Sequence, residues 1–209
     1  MNMRRQPPYP DANAINKRHG DWLASAVCSV FLAMLSLPLP ALADEALWSL
    51  LKKGGQVVLM RHAVTTPGVG DPPGFRLDDC STQRNLTDEG RQDARRVGAA
   101  FSARSVVLER VYSSPWCRCV ETANLAFGKS EISTALSNLF THPENRERQV
   151  REMRELISVR GPNNRVLVSH GATILALTGV SLGTAEMLVV TPQSNGQFVV
   201  NGRFSAHAP

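Results

Sequence analysis

The sequence lacks the patterns that mark several common protein classes. It has four cysteines, but no C-x-x-C pair and no Cys/His pair at the spacing of zinc ligands. After residue 43 it has no internal repeat, no low-complexity tract and no second region of different composition. These absences argue against a zinc module, a repeat solenoid and two domains joined by a disordered linker.

Lysine is also scarce. Only Lys52, Lys53 and Lys129 follow residue 43, against 16 arginines, and the formal net charge of this part is +3. That charge is too small and too dispersed to indicate a nucleic-acid partner. The planar guanidinium of arginine matches phosphate oxygens, so the bias agrees with a phosphate ligand, although genomic base composition can produce it too.

The first 43 residues have a pattern of their own. Four basic residues up to Arg18 precede an apolar run from Trp22 to Leu39, and an A-x-A sequence ends at Ala43. A basic start, an apolar middle and small residues at the end are typical of a secretory signal. We therefore predict that residues 1–43 are a signal peptide, and that the protein is exported, to the periplasm of a two-membrane bacterium.

An uncleaved transmembrane anchor is the alternative for this segment. Pro38 and Pro40 interrupt its end, and the apolar run is barely long enough to span a bilayer. We therefore expect no stable membrane anchor after cleavage. Residues 44–209 then form one domain of a length that can bury a sizeable core.

Strands and helices alternate along this domain. Apolar runs at 56–60, 110–113 and 165–169 predict three strands, and the first and last of these are expected to be buried on both faces. Two more strands, at 187–190 and 198–201, are expected to close the sheet, one of them antiparallel at its edge. Five helices are expected. Three have the ranges 45–53, 145–160 and 171–177, and a fourth begins at Pro115. The fifth follows a Thr87 cap and has Ala94, Val97, Gly98 and Phe101 on its core face. This order predicts a three-layer α/β/α sandwich with a mostly parallel sheet.

Polar residues follow three of these strands. They are Arg61-His62, Ser113-Ser114 and Ser169-His170. Because ligands bind beyond the carboxyl ends of parallel strands, we expect these residues to meet at one edge. Arg118 lies in the first turn of the next helix, where its guanidinium joins free backbone N–H groups in an anion site. A phosphoryl group fits such a pocket.

Four ordered segments, 57–63, 84–91, 111–123 and 166–171, resemble the histidine phosphatase superfamily, which has the phosphoglycerate mutase-like fold. The resemblance implies that His62 is the nucleophile and that Arg61, Arg118 and His170 bind the phosphate. Arg84 is either a phosphate-binding residue at the rim or a surface arginine, and Thr65 is a further candidate for substrate binding. The resemblance implies neither metal nor cofactor, and the partner is a small phosphorylated substrate.

The chemistry of these residues agrees with that role. A neutral His62 attacks phosphorus and forms a phosphohistidine, which water then hydrolyses. Neighbouring arginines disfavour protonation of His62, and a cationic His170 is expected to help the arginines meet the charge on the phosphoryl oxygens. The odd number of cysteines after residue 43 predicts one disulfide and one free thiol, and only one of Cys117 and Cys119 can meet Cys80. A disulfide between Cys80 and Cys117 is the hypothesis, and it would lock the segment before Arg118.

The sequence departs from the family at the general acid. Many members carry a glutamate where this chain has Leu136-Ser137-Asn138. An amide cannot donate a proton as an acid does. Glu131, Glu144 and Asp71 are the candidate replacements; otherwise the leaving group needs little protonation.

Three functions remain open. The export pattern, the missing acid and the short insert before Arg165 disfavour a mutase, and the chain is similar to the exported lipopolysaccharide core heptose phosphatase type, which implies an envelope phosphosugar. A phosphohistidine-protein phosphatase is the alternative, since a phosphoramidate tolerates the missing acid. A non-catalytic phosphate-binding module is the third. The sequence predicts no oligomeric state.

Overall fold

The computed structural model describes residues 39–206, without the side chains of residues 39–43 and Asn195. Of the predicted signal segment 1–43, residues 1–38 lie outside the described residues, and 39–43 fall in the first helix. The chain divides after Leu42, and the unit from Ala43 onward contains the whole sheet. Within the described part, no helix has both the length and the apolar character needed to cross a membrane.

Five helices and six strands alternate along the described residues. They are α1 (Leu39–Lys53), β1 (Val57–Arg61), α2 (Asp88–Ala103), β2 (Leu108–Ser113), α3 (Cys117–Phe127), β3 (Glu131–Ile132), α4 (Arg146–Ser158), β4 (Asn164–Ser169), α5 (Gly171–Thr178), β5 (Glu186–Pro192) and β6 (Phe198–Ser205). Short 3-10 turns lie at Cys80–Thr82, Thr134–Leu136, Pro143–Asn145 and Ser194–Gly196.

The strands form one mixed sheet in the order β3-β2-β4-β1-β5-β6. The first four are mutually parallel, whereas β5 runs antiparallel to both β1 and β6. The predicted α/β class with a mostly parallel sheet is confirmed. The two predicted closing strands are present, and β6 at the edge pairs antiparallel with β5, which is itself antiparallel to β1. The two-residue strand β3 was not predicted.

Helices cover both faces of the sheet. On one face, Trp48 of α1 packs edge-to-face against Phe101 of α2 and Phe204 of β6, with centroid separations of 5.2 and 4.7 Å. On the other face, Met153 of α4 and Ile174 of α5 are fully buried in a second cluster. β1 and β4 lie between the two clusters, which explains their continuous apolar sequences.

The helices near the sheet's carboxyl edge begin at defined residues. Thr87 caps α2 by accepting a hydrogen bond from the Gly90 N–H at 3.0 Å, as predicted. A Cβ on Gly90 would lie 2.0 Å from the Val64 carbonyl oxygen, so glycine lets α2 begin against the loop after β1. Pro115 is not in the first turn of α3, since Trp116 is its N-cap and the helix begins at Cys117.

Candidate active site

The carboxyl ends of β1, β2 and β4 converge as the sequence predicts. The His62 N–H donates to the Ser169 carbonyl at 3.0 Å, and the Ser114 N–H donates to the Val168 carbonyl at 2.9 Å. A cavity of about 380 Å³ opens over this edge. Its lining includes all four predicted catalytic residues together with Arg84, namely Arg61, His62, Arg84, Arg118 and His170. Its size is at the lower end of the range for small-molecule sites, roughly 300 to 1,000 Å³.

His62 is held in one tautomer. Its Nδ1 lies 2.8 Å from the carbonyl oxygen of Ala63, which can only accept, so Nδ1 carries the proton and Nε2 has a free electron pair. Burial lowers the pKa of His62 to about 3, and the nearby arginine charges act in the same direction, whereas the bond to Ala63 opposes them. At neutral pH the ring is therefore uncharged, with a nucleophilic nitrogen.

His170 lies beside His62, with ring centroids 5.5 Å apart. Its Nε2 is 2.8 Å from the Ser114 hydroxyl, and its Nδ1 is 3.5 Å from Nη2 of Arg118. Burial lowers its pKa well below the usual value, and repulsion from His62 and the arginines adds to that. The prediction of a cationic His170 is therefore wrong for the protein as the structure describes it.

The three arginines of the cavity share one unusual feature. Arg61 donates through Nη1 to the Leu182 carbonyl at 2.8 Å, and Arg84 donates through Nη1 to the Gly68 carbonyl at 2.8 Å. Yet the Nε atoms of Arg61, Arg84 and Arg118 are the buried side-chain nitrogens of residues 39–206 that have no hydrogen-bond partner. Such groups cost free energy unless a partner satisfies them. A tetrahedral oxyanion would supply acceptors to all three.

Asp71 holds the third arginine from behind. Its Oδ1 accepts from Nη1 of Arg118 at 2.7 Å, and its Oδ2 accepts from Nη2 at 3.2 Å. The Trp116 indole N–H and the Arg84 backbone N–H also donate to it, each at 3.1 Å. Burial alone would raise the pKa of Asp71, but these hydrogen bonds and the Arg118 charge outweigh it and lower the pKa.

Asp71 is therefore an ionised carboxylate and not a proton donor, which corrects one candidate acid. Its side chain is completely buried, and Arg118 beside it is 1% exposed. Sequence reasoning missed its contact with Arg118 because the two residues are 47 positions apart. The only local signal was its place in the Gly/Pro-rich loop after β1.

The other two candidate acids lie away from the cavity. Glu131 pairs with Arg110 at 3.1 Å, and Glu144 pairs with His142 at 3.2 Å, and both glutamates are exposed. The residues that line the cavity, all of them within 39–206, include no aspartate or glutamate. Asn138, which stands where the family has its acid, does line it.

Thr65, predicted to bind substrate, does not line the cavity either. Its backbone pairs with Leu86 in an isolated antiparallel bridge, which fixes the loop after β1 against the segment before α2. Arg84, in contrast, does line the cavity. Of the two interpretations of this residue, a rim residue or a surface arginine, the structure supports the first.

The cysteines flank the site. Cys80 and Cys117 form a disulfide with an S–S distance of 2.08 Å, the pairing that the sequence indicates, and Cys117 directly precedes Arg118. Within residues 39–206, Cys119 is the free thiol; it is buried, with Sγ 3.5 Å from Nε2 of His170. Burial raises the pKa of the Cys119 thiol to about 12, which keeps it protonated and unreactive.

Comparison with protein families now identifies the domain. Residues 57–141 match the model of the histidine phosphatase superfamily, branch 1, and this stretch holds His62, Arg61, Arg84 and Arg118. Over these 85 of the 209 residues the chain is similar to the histidine phosphatase superfamily, and the match supports a phosphatase of that superfamily. His170 lies beyond the matched stretch.

Solved structures of several phosphatases share the fold. The protein histidine phosphatase SixA complexed with tungstate has a TM-score of 0.56 and 19% identity, covering 72% of this chain and 97% of that one. A mycobacterial glucosyl-3-phosphoglycerate phosphatase in complex with VO3 has a TM-score of 0.52 and 17% identity, and the match covers 70% of this chain and 96% of that one. A phosphoserine phosphatase mutant from Entamoeba histolytica has a TM-score of 0.50 and 14% identity, and the match covers 73% of this chain and 98% of that one. The search of curated proteins returned no match.

Proposed function

We propose that this histidine phosphatase hydrolyses its substrate through a phosphohistidine on Nε2 of His62, without a metal ion. One observation carries the proposal. An uncharged histidine with a free ring nitrogen faces a cavity lined by three guanidinium groups whose buried Nε–H donors have no partner. This arrangement matches the transferring phosphoryl group, which needs one nucleophile and several fixed positive donors.

The reaction has two steps that conserve atoms and charge. Nε2 of His62 donates its electron pair to phosphorus, and the bond from phosphorus to the leaving group breaks with its pair on that group. Water then attacks phosphorus, the P–Nε2 bond returns its pair to His62, and inorganic phosphate and a proton are released. The hydrogen bond from Nδ1 to Ala63 keeps the ring oriented throughout. Arginine charges here act where Mg²⁺ acts in other phosphoryl transfer sites.

The candidate substrates differ in how much help their leaving groups need. An envelope phosphosugar, which the sequence resemblance implies, leaves as an alkoxide and needs a proton. A phosphoramidate, such as phosphohistidine, needs less help. Because no carboxyl group lines the cavity, the site disfavours an alkoxide and favours a leaving group that needs little protonation, such as that of a phosphoramidate. SixA, whose fold this chain shares, is described as a protein histidine phosphatase, which agrees with that preference.

Export remains part of the proposal. The basic start, apolar run and A-x-A sequence of residues 1–43 support a cleaved signal and a periplasmic address, and an envelope phosphosugar depends on that address. N-terminal sequencing of protein from a cell-envelope fraction tests it directly. A mature chain that begins at Asp44 supports export, and a chain that retains Met1 in the cytoplasm contradicts it.

Trapping the intermediate tests the chemistry. Protein mixed with ³²P-labelled acetyl phosphate and quenched in base should carry an acid-labile, base-stable label that maps to His62. His62→Ala should lose the label, whereas His142→Ala, which changes an exposed histidine outside the cavity, should keep it. Label on a serine or carboxylate would contradict the mechanism. If the protein binds vanadate yet neither takes up label nor turns over, it is a phosphate-binding module instead.

A further inference from the structure

The mouth of the cavity has a different character from its floor. Val69, Phe140 and Leu175 line it, and their exposed fractions are 87%, 59% and 46%. They come from three separate segments: the loop after β1, the turn after β3 and helix α5. Three large apolar side chains exposed around one charged cavity are more than the scattered surface hydrophobes found on any protein. We call Val69, Phe140 and Leu175 the apolar rim.

Phe140 is held in place although it is exposed. Asn138 Oδ1 accepts the Phe140 N–H at 3.1 Å, and Asn138 Nδ2 donates to the Thr141 hydroxyl at 3.3 Å. Asn138, at the family's acid position, thus uses its amide to build the turn that presents an aromatic ring. The Leu139 N–H donates to the Thr173 hydroxyl at 3.1 Å, which ties this turn to α5.

The opposite side of the rim is fixed as well. Gly70 borders the ring, since a Cβ at that position would lie 3.6 Å from Cε1 of Phe140. Asp71 follows Gly70 and is anchored to Arg118 at 2.7 Å, so the loop that carries Val69 is joined to the phosphate-binding arginine. The rim and the charged floor therefore keep a set distance from each other, as the two parts of one substrate would require.

From these contacts we infer that the apolar rim receives an aromatic leaving group, and that the substrate class is an aryl phosphomonoester, the phosphate of a phenol. This inference rests on the phosphohydrolase function proposed above. Two independent features lead to the same class. An apolar rim around a phosphate site matches a flat ring joined to phosphate. A cavity without a carboxyl group requires a weakly basic leaving group, and a phenol such as the tyrosine side chain has a pKa of about 10.

The aryl ester makes the first step possible without a general acid. As the bond from Nε2 of His62 to phosphorus forms, the bond from phosphorus to the phenolic oxygen breaks, and its electron pair stays on the phenolate. The phenolate takes its proton from water after it leaves the rim. An aliphatic alcohol is far less acidic, and in this cavity its alkoxide would have no donor.

Steady-state kinetics of the full chain on two substrates test the inference. Phosphotyrosine carries a ring, whereas acetyl phosphate has a good leaving group without one. Phe140→Ala should raise KM for phosphotyrosine by about three- to tenfold, the size of one aromatic contact, and Leu175→Ala should act in the same direction. Both variants should lower kcat/KM for acetyl phosphate by a smaller factor than kcat/KM for phosphotyrosine. Phe140→Leu should restore part of the affinity, and Val199→Ala, an exposed residue on β6, should change nothing.

Several outcomes would overturn the inference. Rim variants that leave phosphotyrosine kinetics unchanged, or that impair acetyl phosphate equally, show that the rim does not bind the ring. A protein that hydrolyses acetyl phosphate but no aryl phosphate refutes the substrate class and leaves the phosphohydrolase function standing. One that hydrolyses neither refutes both. A larger rim effect on phosphoimidazole than on phosphotyrosine identifies the occupant as an imidazole, and so the substrate as a phosphoramidate.

Discussion

The carboxylate of Asp71 accepts a hydrogen bond from each terminal nitrogen of Arg118, with Nη1–Oδ1 at 2.7 Å and Nη2–Oδ2 at 3.2 Å. The pair is buried, and the two side chains are 0% and 1% exposed. A two-point contact fixes the plane of the guanidinium, which leaves its Nε–H as the donor without a partner. Asp71, a candidate proton donor in the sequence, thus positions Arg118, the arginine predicted to bind phosphate.

Asp71→Asn should weaken both the fold and the site. The change leaves a buried arginine without its counter-charge, so we expect the free energy of unfolding to fall by about 3–5 kcal/mol. Without the two-point contact Arg118 is no longer held in orientation, and kcat should fall more than KM rises. Urea denaturation and steady-state kinetics measure the two effects. Asp78→Asn is the matched control, because Asp78 is an exposed aspartate of the same region. An Asp71→Asn variant with normal kcat would show that Arg118 needs no positioning.

Asn138→Glu should restore the proton donor that the family has at this position. A carboxylic acid beside the leaving group typically contributes about a hundred- to ten-thousandfold to rate. We expect a gain of at least roughly tenfold in kcat for an alkyl phosphate, and little change for acetyl phosphate, whose leaving group needs no proton. Asn138→Gln has the same shape without the acid and is the control. If both variants respond alike, position 138 does not face the leaving group.

The stability of the fold should depend on pH through His62. The pKa of His62 is about 3 in the folded protein, against 6.5 for an ordinary histidine, so the unfolded chain binds more protons throughout that window. Lowering the pH from about 6.5 therefore favours unfolding, by at most about 1.4 kcal/mol per pH unit for one histidine. His62→Gln should make the pH dependence shallower, whereas exposed His142→Gln should not. Urea denaturation at several pH values between 7 and 4 measures the slope, and equal slopes in all three proteins would contradict the assignment.

The disulfide should stabilise the fold more than it shapes the site. Cys80 and Cys117 are 37 residues apart. Closing a loop of that length lowers the conformational entropy of the unfolded chain, which raises the free energy of unfolding by about 4 kcal/mol. The Cys80→Ala/Cys117→Ala variant should lose that stability in urea denaturation. Vanadate affinity should change little, because Gln83 still accepts the Cys117 N–H at 2.9 Å and Asp71 still holds Arg118. Reductant should destabilise the wild type alone. If reductant also lowered the stability of the double variant, the loss of stability in the wild type would not be due to this disulfide.

The sequence predicts those parts of the molecule where local pattern and tertiary burial agree. β1 and β4 are buried on both faces, so a continuous apolar run is all that they need. Thr87 caps α2 through a bond to its own neighbour, Gly90, which the local sequence is sufficient to indicate. The residues predicted as nucleophile and phosphate ligands follow strands and helix starts, so their convergence follows from the topology of parallel sheets.

Other features depend on contacts between distant segments. β3 has two residues, too few for a periodic pattern, and it exists because β2 offers an edge. Asp71 looks like a loop residue until Arg118 is placed beside it. The neutral state of His170 depends on burial and on four neighbouring positive or titratable groups, and no motif encodes that environment. The apolar rim joins three segments that the sequence keeps 35 or more positions apart.

Three guanidinium groups turned toward one cavity also affect how the protein behaves in solution. An anion that binds the folded chain alone raises the free energy of unfolding, by about 2.7 kcal/mol at a hundredfold excess over Kd. Melting curves recorded in phosphate and in chloride therefore measure different equilibria, and the choice of buffer would shift the transition in every mutational comparison. Phosphate binding by these arginines, as proposed, would couple the folding of the domain to the inorganic phosphate around it.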